Sequence, residues 1–193
     1  MRVIHLHPSS HAGYYPGAAQ LHMKMIVDAE SDAILGAQIV GEEGVDKRID
    51  VIATAMRAGL SATDLADLEL AYAPQFGSAK DPINFAGFIN DNIARGEKTV
   101  QWHELDERLA SGALLVDVRS PEEFASGAIP GAVNIPLDEL RVRHEEIADH
   151  DDVIVHCQVG LRGHNAARLL TNLGYDVANL DGGYLTWTNG QED

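Results

Sequence analysis

A single cysteine, Cys157, stands in the 193 residues. An internal disulfide is therefore excluded, and a reducing compartment such as the cytoplasm is expected. No lysine follows Lys98. Residues 1–98 carry 8 basic and 13 acidic side chains, residues 99–193 carry 6 and 17, and the whole chain bears a formal charge of −16. Neither half has the basic surface that binds nucleic acid. No apolar run approaches the roughly 20 residues of a membrane helix, and no apolar stretch follows a basic start as in a secretory signal. Hydrophobic residues make up 45% of the chain, which predicts packed cores.

Against this scarcity, the segment from Val153 to Gly163, VIVHCQVGLRG, is dense in chemistry. Val153, Ile154 and Val155 predict a strand buried on both faces. Ala166, Leu169, Leu170 and Leu173 then follow at helical spacing, and Gly174 stands where a left-handed stop is expected. Cys157 thus falls where a strand gives way to a helix N-terminus. Unpaired N–H groups converge there and favour negative charge. A thiol of pKa roughly 8.5 becomes a better nucleophile in such a place, with Arg162 as a nearby cation. The competing reading is a small buried hydrophobe, which requires neither Gly160 nor Gly163 beside the cysteine. His156 and His164 bracket the loop as candidate bases. Strand alternation turns His156 away from the Cys157 face and leaves His164 the better placed, although a surface role suits it more.

Around this loop, strands alternate with helices. A helix is expected over Trp102–Ala110, a strand over Ala113–Val118, a capped helix from Ser120-Pro121 with Glu123, a strand at Val133–Ile135, a helix over Leu137–Ala148 and a strand at Val177–Leu180. The pattern predicts an α/β domain with a mostly parallel sheet. Ligands bind such sheets at the carboxyl ends of strands, where Cys157 lies and where Asp117 and Arg119 are expected to support its loop. The segments LLVDVRSPEEF, GAIPGAVNIP, HCQVGLRG and LDGGYLTW, in that order, resemble a rhodanese domain. Ala128 stands where many members have histidine. The resemblance implies that Cys157 carries sulfane sulfur as a persulfide, ringed by the loop Gln158, Val159, Gly160, Leu161, Arg162 and Gly163. It implies sulfur donors and thiol acceptors as partners. A cysteine phosphatase or arsenate reductase of related fold is the alternative. The phosphatase signature, however, places five residues between Cys and Arg, and here only four separate Cys157 from Arg162.

In the first half, strands are expected at Arg2–Leu6, Leu21–Val27 and Ile34–Val40, the last two as a hairpin, with a helix over Val45–Ala58 ended by Gly59. Ser61 and Asp64 predict a capped short helix. Asp81 and Pro82 open a last helix whose apolar stripe is Phe85, Phe88, Ile89 and Ile93. His5, His7 and His11 are expected to form hydrogen bonds rather than a metal site. Arg48 and Lys80 are expected as solvated charges, with contact to an anionic ligand such as coenzyme A as the lesser alternative, and Glu97–Gln101 as a linker. The segments HPSSHAGYYPGA, GAQIVGEEGVDKRIDVIATAM and LELAYAPQFGSAKDPINFAGF resemble the dimerisation domain of flavin-dependent pyridine nucleotide-disulfide reductases, coenzyme A-disulfide reductase above all. The resemblance implies a homodimer and FAD and coenzyme A in the full-length family. It also implies a role near a partner's active site for Tyr72 and for one of Tyr14 and Tyr15. No G-x-G-x-x-G fingerprint occurs, and by the family pattern the first strands of the domain are missing.

Together these features predict a small α+β, partial dimerisation domain over 1–98, followed by a rhodanese-like α/β domain over 99–193. The expected function is sulfur transfer without disulfide reduction, with no cofactor or metal held by this chain. The non-enzymatic alternative is an accessory chain for dimerisation or coenzyme A binding, with a separate flavin-bearing chain as a further partner.

Overall fold

The computed structural model describes residues 1–191. It divides into two compact units, Met1–Gly96 and a second unit from Glu97 onward.

The first unit is built on a three-stranded antiparallel sheet of β1 (Arg2–Leu6), β2 (Leu21–Val27) and β3 (Ile34–Gly41), with β2 central. Strict alternation in LHMKMIV buries Leu21, Met23, Met25 and Val27 on one face and leaves His22, Lys24 and Ile26 less covered. Helix α1 (Val45–Ala58) ends at Gly59, whose φ of 76° is the left-handed stop that the sequence predicts. Ser61 and Asp64 exchange the two hydrogen bonds of a capping box, but the turn they open, Thr63–Asp67, is a 3-10 helix.

Helix α2 (Pro82–Ala94) starts at a second capping box, formed by Asp81 and Asn84. Its innermost positions are Ile83, Ala86, Gly87 and Asn90, which add to the expected apolar stripe and correct it at Phe88. Phe85, Ile89 and Ile93 flank the core, whereas Phe88 lies under the Lys80 ammonium at 5.3 Å. The reason is close approach: a Cβ at Gly87 would strike the backbone of Ala66, so small residues face the 3-10 turn. Arg48 is corrected as well. It is 1% exposed, its guanidinium donating to Asp81 at 2.9 Å and to the carbonyl of Ser10 at 2.7 Å. A charge so deeply buried is tolerated only when paired in this way.

The second unit is a five-stranded parallel sheet in the order β4-β8-β7-β5-β6, flanked by helices. The strands are β4 (Lys98–Val100), β5 (Leu114–Asp117), β6 (Val133–Asn134), β7 (Val153–His156) and β8 (Val177–Leu180). The expected linker therefore contains an edge strand, β4, which pairs with β8 through Lys98↔Ala178 and Val100↔Leu180. The helix expected over Trp102–Ala110 is a 3-10 turn, Trp102–Glu104, followed by α3 (Leu105–Ala110). Helix α4 spans Pro121–Ser126, and the stretch after Pro136 is α5 (Leu137–Arg143) plus a 3-10 turn, His144–Ile147. Helices α6 (Leu161–Asn172) and α7 (Gly183–Gly190) complete the unit.

All four β7 residues are buried, because the sheet is covered on both faces. Val153 and Val155 pack with Val116, Ala166 and Leu170 on one side, and Ile154 packs with Leu115, Ala178 and Leu180 on the other. Burying each such side chain stabilises the fold by roughly 1.5–3 kcal/mol, an upper range for a chain already partly compact when unfolded. The same alternation puts Cys157 in the first cluster and turns the next residue inward, His156, toward the second.

Candidate active site

Cys157 sits one residue past the end of β7, between its neighbours β5 and β8, at the carboxyl edge of the sheet. It is 1% exposed. The chain turns through Gln158 and Val159 to Gly160, whose φ of 103° is open to glycine but strained for other residues. That turn aims the Gly160 N–H at Cys157 Sγ, 3.2 Å away, and α6 starts at the next residue. The sulfur thus lies against a loop amide at a helix N-terminus. Gly163 belongs to the first turn of α6, where a Cβ would collide with the Asn179 side-chain oxygen. Leu161 points outward and is 61% exposed.

The loop rests on groups from two other segments. The first turn of α7 donates two hydrogen bonds to it, Tyr184 N–H to the Cys157 carbonyl at 2.8 Å and Leu185 N–H to the Gln158 carbonyl at 3.0 Å. Gly183 permits this approach: its φ is 65°, and a Cβ there would lie 2.5 Å from the Cys157 carbonyl oxygen. Asp117 and Arg119, at the end of β5, form a buried ion pair closed at 2.7 Å. Arg119 also donates to Gln158 Oε1 at 3.1 Å and to the Gly127 carbonyl at 2.7 Å, and its guanidinium lies 4.1 Å from the centre of the Tyr184 ring. The structure therefore places Asp117 and Arg119 beneath the loop, holding Gln158.

Arg162 reaches back across the mouth of the loop to α4. Its two terminal nitrogens donate to both carboxylate oxygens of Glu123 at 2.7 and 2.6 Å. Those hydrogen bonds, with a smaller contribution from the Cys157 sulfur, hold Arg162 even more firmly protonated. The Arg162 hydrogen bonds also hold Glu123 down to about 2, against the partial burial that favours its acid form. In the sequence, the spacing from Ser120 marks Glu123 as a helix cap and gives no sign of its pairing with Arg162. Glu123 does accept from Ser120 N–H at 2.9 Å, so one carboxylate serves the cap and the loop together. Tyr184 was likewise present in a recognisable motif, but its place under the loop depends on a fold-level approach of α7.

Of the two histidines, neither reaches the sulfur by a hydrogen bond. His164 Nδ1 is engaged with Glu97 at 2.7 Å. His156 is buried, stacks on the Tyr184 ring and lies 3.6 Å from the Asp117 carboxylate, too long for a hydrogen bond. Burial lowers it to about 4, outweighing the nearby carboxylate, which favours protonation. A histidine depressed in the folded state binds its proton more tightly when unfolded. Stability should therefore be intact above pH 6.5 and fall as pH drops from there through 4, by on the order of 3 kcal/mol for this group. Urea unfolding across that window checks it: His156→Phe should flatten the slope, and an unchanged slope would assign the acid sensitivity elsewhere.

In the first unit, the hydroxyls of Tyr14 and Tyr72 meet at 2.7 Å, both side chains being exposed. The hydrogen bond from Tyr14 raises Tyr72 above its ordinary value. Tyr15 instead packs edge-on against His11. Tyr72 also lines an open cavity of about 540 Å³ with Ser10, His11, Lys47, Arg48 and Phe76. His7 and His22 share a hydrogen bond at 2.9 Å, and among the described residues no group of three His, Cys, Asp or Glu is arranged to hold a metal. No helix among the described residues is long and apolar enough to cross a membrane.

Two family models match the two units. Residues 1–81 match the pyridine nucleotide-disulphide oxidoreductase dimerisation domain, and residues 101–190 match the rhodanese-like domain. The chain therefore joins a disulfide-reductase dimerisation domain to a rhodanese-like domain. Among individual proteins, it is 51% identical to the crystallised reduced Bacillus anthracis CoADR-RHD over 96% of its own length, with a TM-score of 0.94, and covers 34% of that chain. It is 36% identical to a NAD-dependent persulfide reductase from A. fulgidus, with a TM-score of 0.86 and the same coverages. A coenzyme A disulfide reductase from Staphylococcus aureus is 42% identical over 87 residues, which are 45% of this chain and 20% of that protein. The chain thus spans about a fifth of the curated relatives it matches and about a third of these two solved chains.

Proposed function

We propose that the second unit transfers sulfane sulfur, carried as a persulfide on Cys157. The observation that carries this reading is the Gly160 N–H set 3.2 Å from Sγ at the start of α6. The thiolate is the nucleophile. Its sulfur attacks the outer sulfur of a donor, a new S–S bond forms, and the donor's own bond to that sulfur breaks, its electron pair leaving with the donor fragment. An acceptor thiolate then attacks the outer sulfur of the Cys157 persulfide, and the Cys157 thiolate leaves. The loop amide stabilises the Cys157 thiolate before it attacks and again as it leaves, because hydrogen bonds to an anion are roughly twice as strong as neutral ones.

A phosphatase reading is disfavoured by the same loop. Four residues separate Cys157 from Arg162, one fewer than the phosphatase signature requires, and both terminal nitrogens of that arginine donate to Glu123. The test is intact mass after exposure to thiosulfate, coenzyme A persulfide or glutathione persulfide. One added sulfur atom per chain is expected, and hydrolysis of aryl phosphates without any sulfur gain would overturn the assignment. No step is assigned to flavin or nicotinamide, since neither unit carries a glycine-rich dinucleotide turn.

For the first unit we propose pairing with a second copy, supported by the dimerisation-domain match and by the exposed Tyr14, Tyr72 and Phe76. The joined tyrosine hydroxyls favour Tyr14 over Tyr15 as the partner of Tyr72 in any role toward a disulfide or coenzyme A substrate. Light scattering should return twice the chain mass; a monodisperse monomer at high concentration would remove the idea.

A further inference from the structure

We propose that Glu123 is a specificity-determining residue: by holding Arg162 in a two-point ion pair at the mouth of the Cys157 loop, it discriminates against sulfane donors that bring a double negative charge to the sulfur. The inference rests on the sulfur-transfer reading above.

Two arginines stand at this site, and each is matched by a carboxylate. Arg119 is closed on Asp117 at 2.7 Å and buried, so it offers no charge to an entering molecule. Arg162 lies at the mouth, with about a third of its side chain exposed, and is the cation an incoming anion would meet. Both oxygens of Glu123 occupy its terminal nitrogens, at 2.6 and 2.7 Å. The pair is geometrically the strongest kind, with two parallel charge-assisted hydrogen bonds. His156 contributes no charge, since burial keeps it neutral at ordinary pH. The ion pairs at the mouth and beneath the loop therefore sum to zero, in a unit rich in acidic side chains.

The consequence depends on where a donor carries its charge. Thiosulfate places two negative charges within one bond of the sulfur that must approach Sγ. Meeting a neutralised arginine, it loses solvation without gaining a counter-charge. A persulfide on a larger thiol, such as glutathione, keeps most of its charge remote from the reacting sulfur. Glu123 is well placed for this control, because its carboxylate is fixed by the α4 cap through Ser120 and stays ionised across the working pH range.

The test uses the full chain and two probes, thiosulfate and glutathione persulfide, with Cys157 loading followed by mass and by rate. In Glu123→Gln the amide oxygen still accepts from Ser120, so the helix cap survives, but the anion facing Arg162 is gone. The ratio of kcat/KM for thiosulfate to that for glutathione persulfide should rise about tenfold, chiefly through KM, as expected for one unopposed charge a few ångströms from a dianion in partly exposed surroundings. The gain should shrink with added salt. The double variant Glu123→Gln with Arg162→Gln should return the ratio toward the native value, which a merely structural role for Glu123 would not produce. If Cys157 loads from glutathione persulfide and the ratio is unmoved in Glu123→Gln, the Glu123 assignment fails and sulfur transfer stands. If Cys157 loads from neither probe, the Glu123 assignment fails, and sulfur transfer fails with it only if coenzyme A persulfide also leaves the mass unchanged.

Discussion

Cys157→Ser should abolish sulfur loading completely while leaving the fold in place. Because Cys157 is the single cysteine, intact mass reports on this one residue without any mapping of fragments. The serine hydroxyl is smaller by one atomic row and can still accept from the Gly160 N–H, so the loop keeps its hydrogen bond. A hydroxyl, however, does not ionise near neutral pH and cannot take up sulfane sulfur. The expected result is native-like thermal unfolding with no mass gain from any donor. Sulfur gain in this variant would show that a group other than the thiol carries it. A large loss of stability would mean that Cys157 is chiefly a packing residue of the cluster around Val155 and Ala166, the bland reading of a buried cysteine.

The second large effect is expected beneath the loop. Replacing Arg119 by Met preserves much of its volume but leaves the Asp117 carboxylate buried without its main counter-charge. Breaking such a pair from one side costs about 3–5 kcal/mol. Gln158 also loses its donor, as does the Gly127 carbonyl. Urea unfolding should register the loss, and sulfur transfer should fall with it as the loop relaxes. Pairing Arg119→Met with Asp117→Asn should recover much of the stability, because the isolated charge is then removed. Full stability in the single variant would sink the claim that this pair supports the site. Arg119→Lys should not rescue it, since a single ammonium cannot reach Asp117, Gln158 and Gly127 together as the guanidinium does.

How much of this was legible beforehand follows the reach of each interaction. The β7 strand, the glycine-bearing turn and α6 are set by neighbours within a dozen residues, and periodicity, glycines and the lone cysteine announced them. The caps at Ser61, Asp81 and Ser120 are equally local, and all three form. The errors concern partners far along the chain. Arg48 looked like a surface charge because its counter-ion, Asp81, lies 33 positions away. Glu123 and Arg162 are 39 apart, so the cap was visible and the ion pair was not. Asp117 and Arg119 were expected to support the loop, yet their hold on Gln158 and the stacking on Tyr184 required the sheet to be assembled first. Residues 97–101 looked like a linker because β4 has only three residues, and its hydrogen-bonding partner is the last strand of the unit.

That short strand decides where the chain can be divided. Lys98–Val100 covers the outer edge of β8, and Glu97, just before it, holds His164 at the start of α6. Severing the chain after Lys98 would split the strand, discard the Lys98 bridge to Asp176 and remove the His164 anchor, leaving the β8 edge uncovered at Ala178 and open there to strands from other molecules. Severing it after Gly96, two residues earlier, takes the whole strand and its anchor along with the second unit.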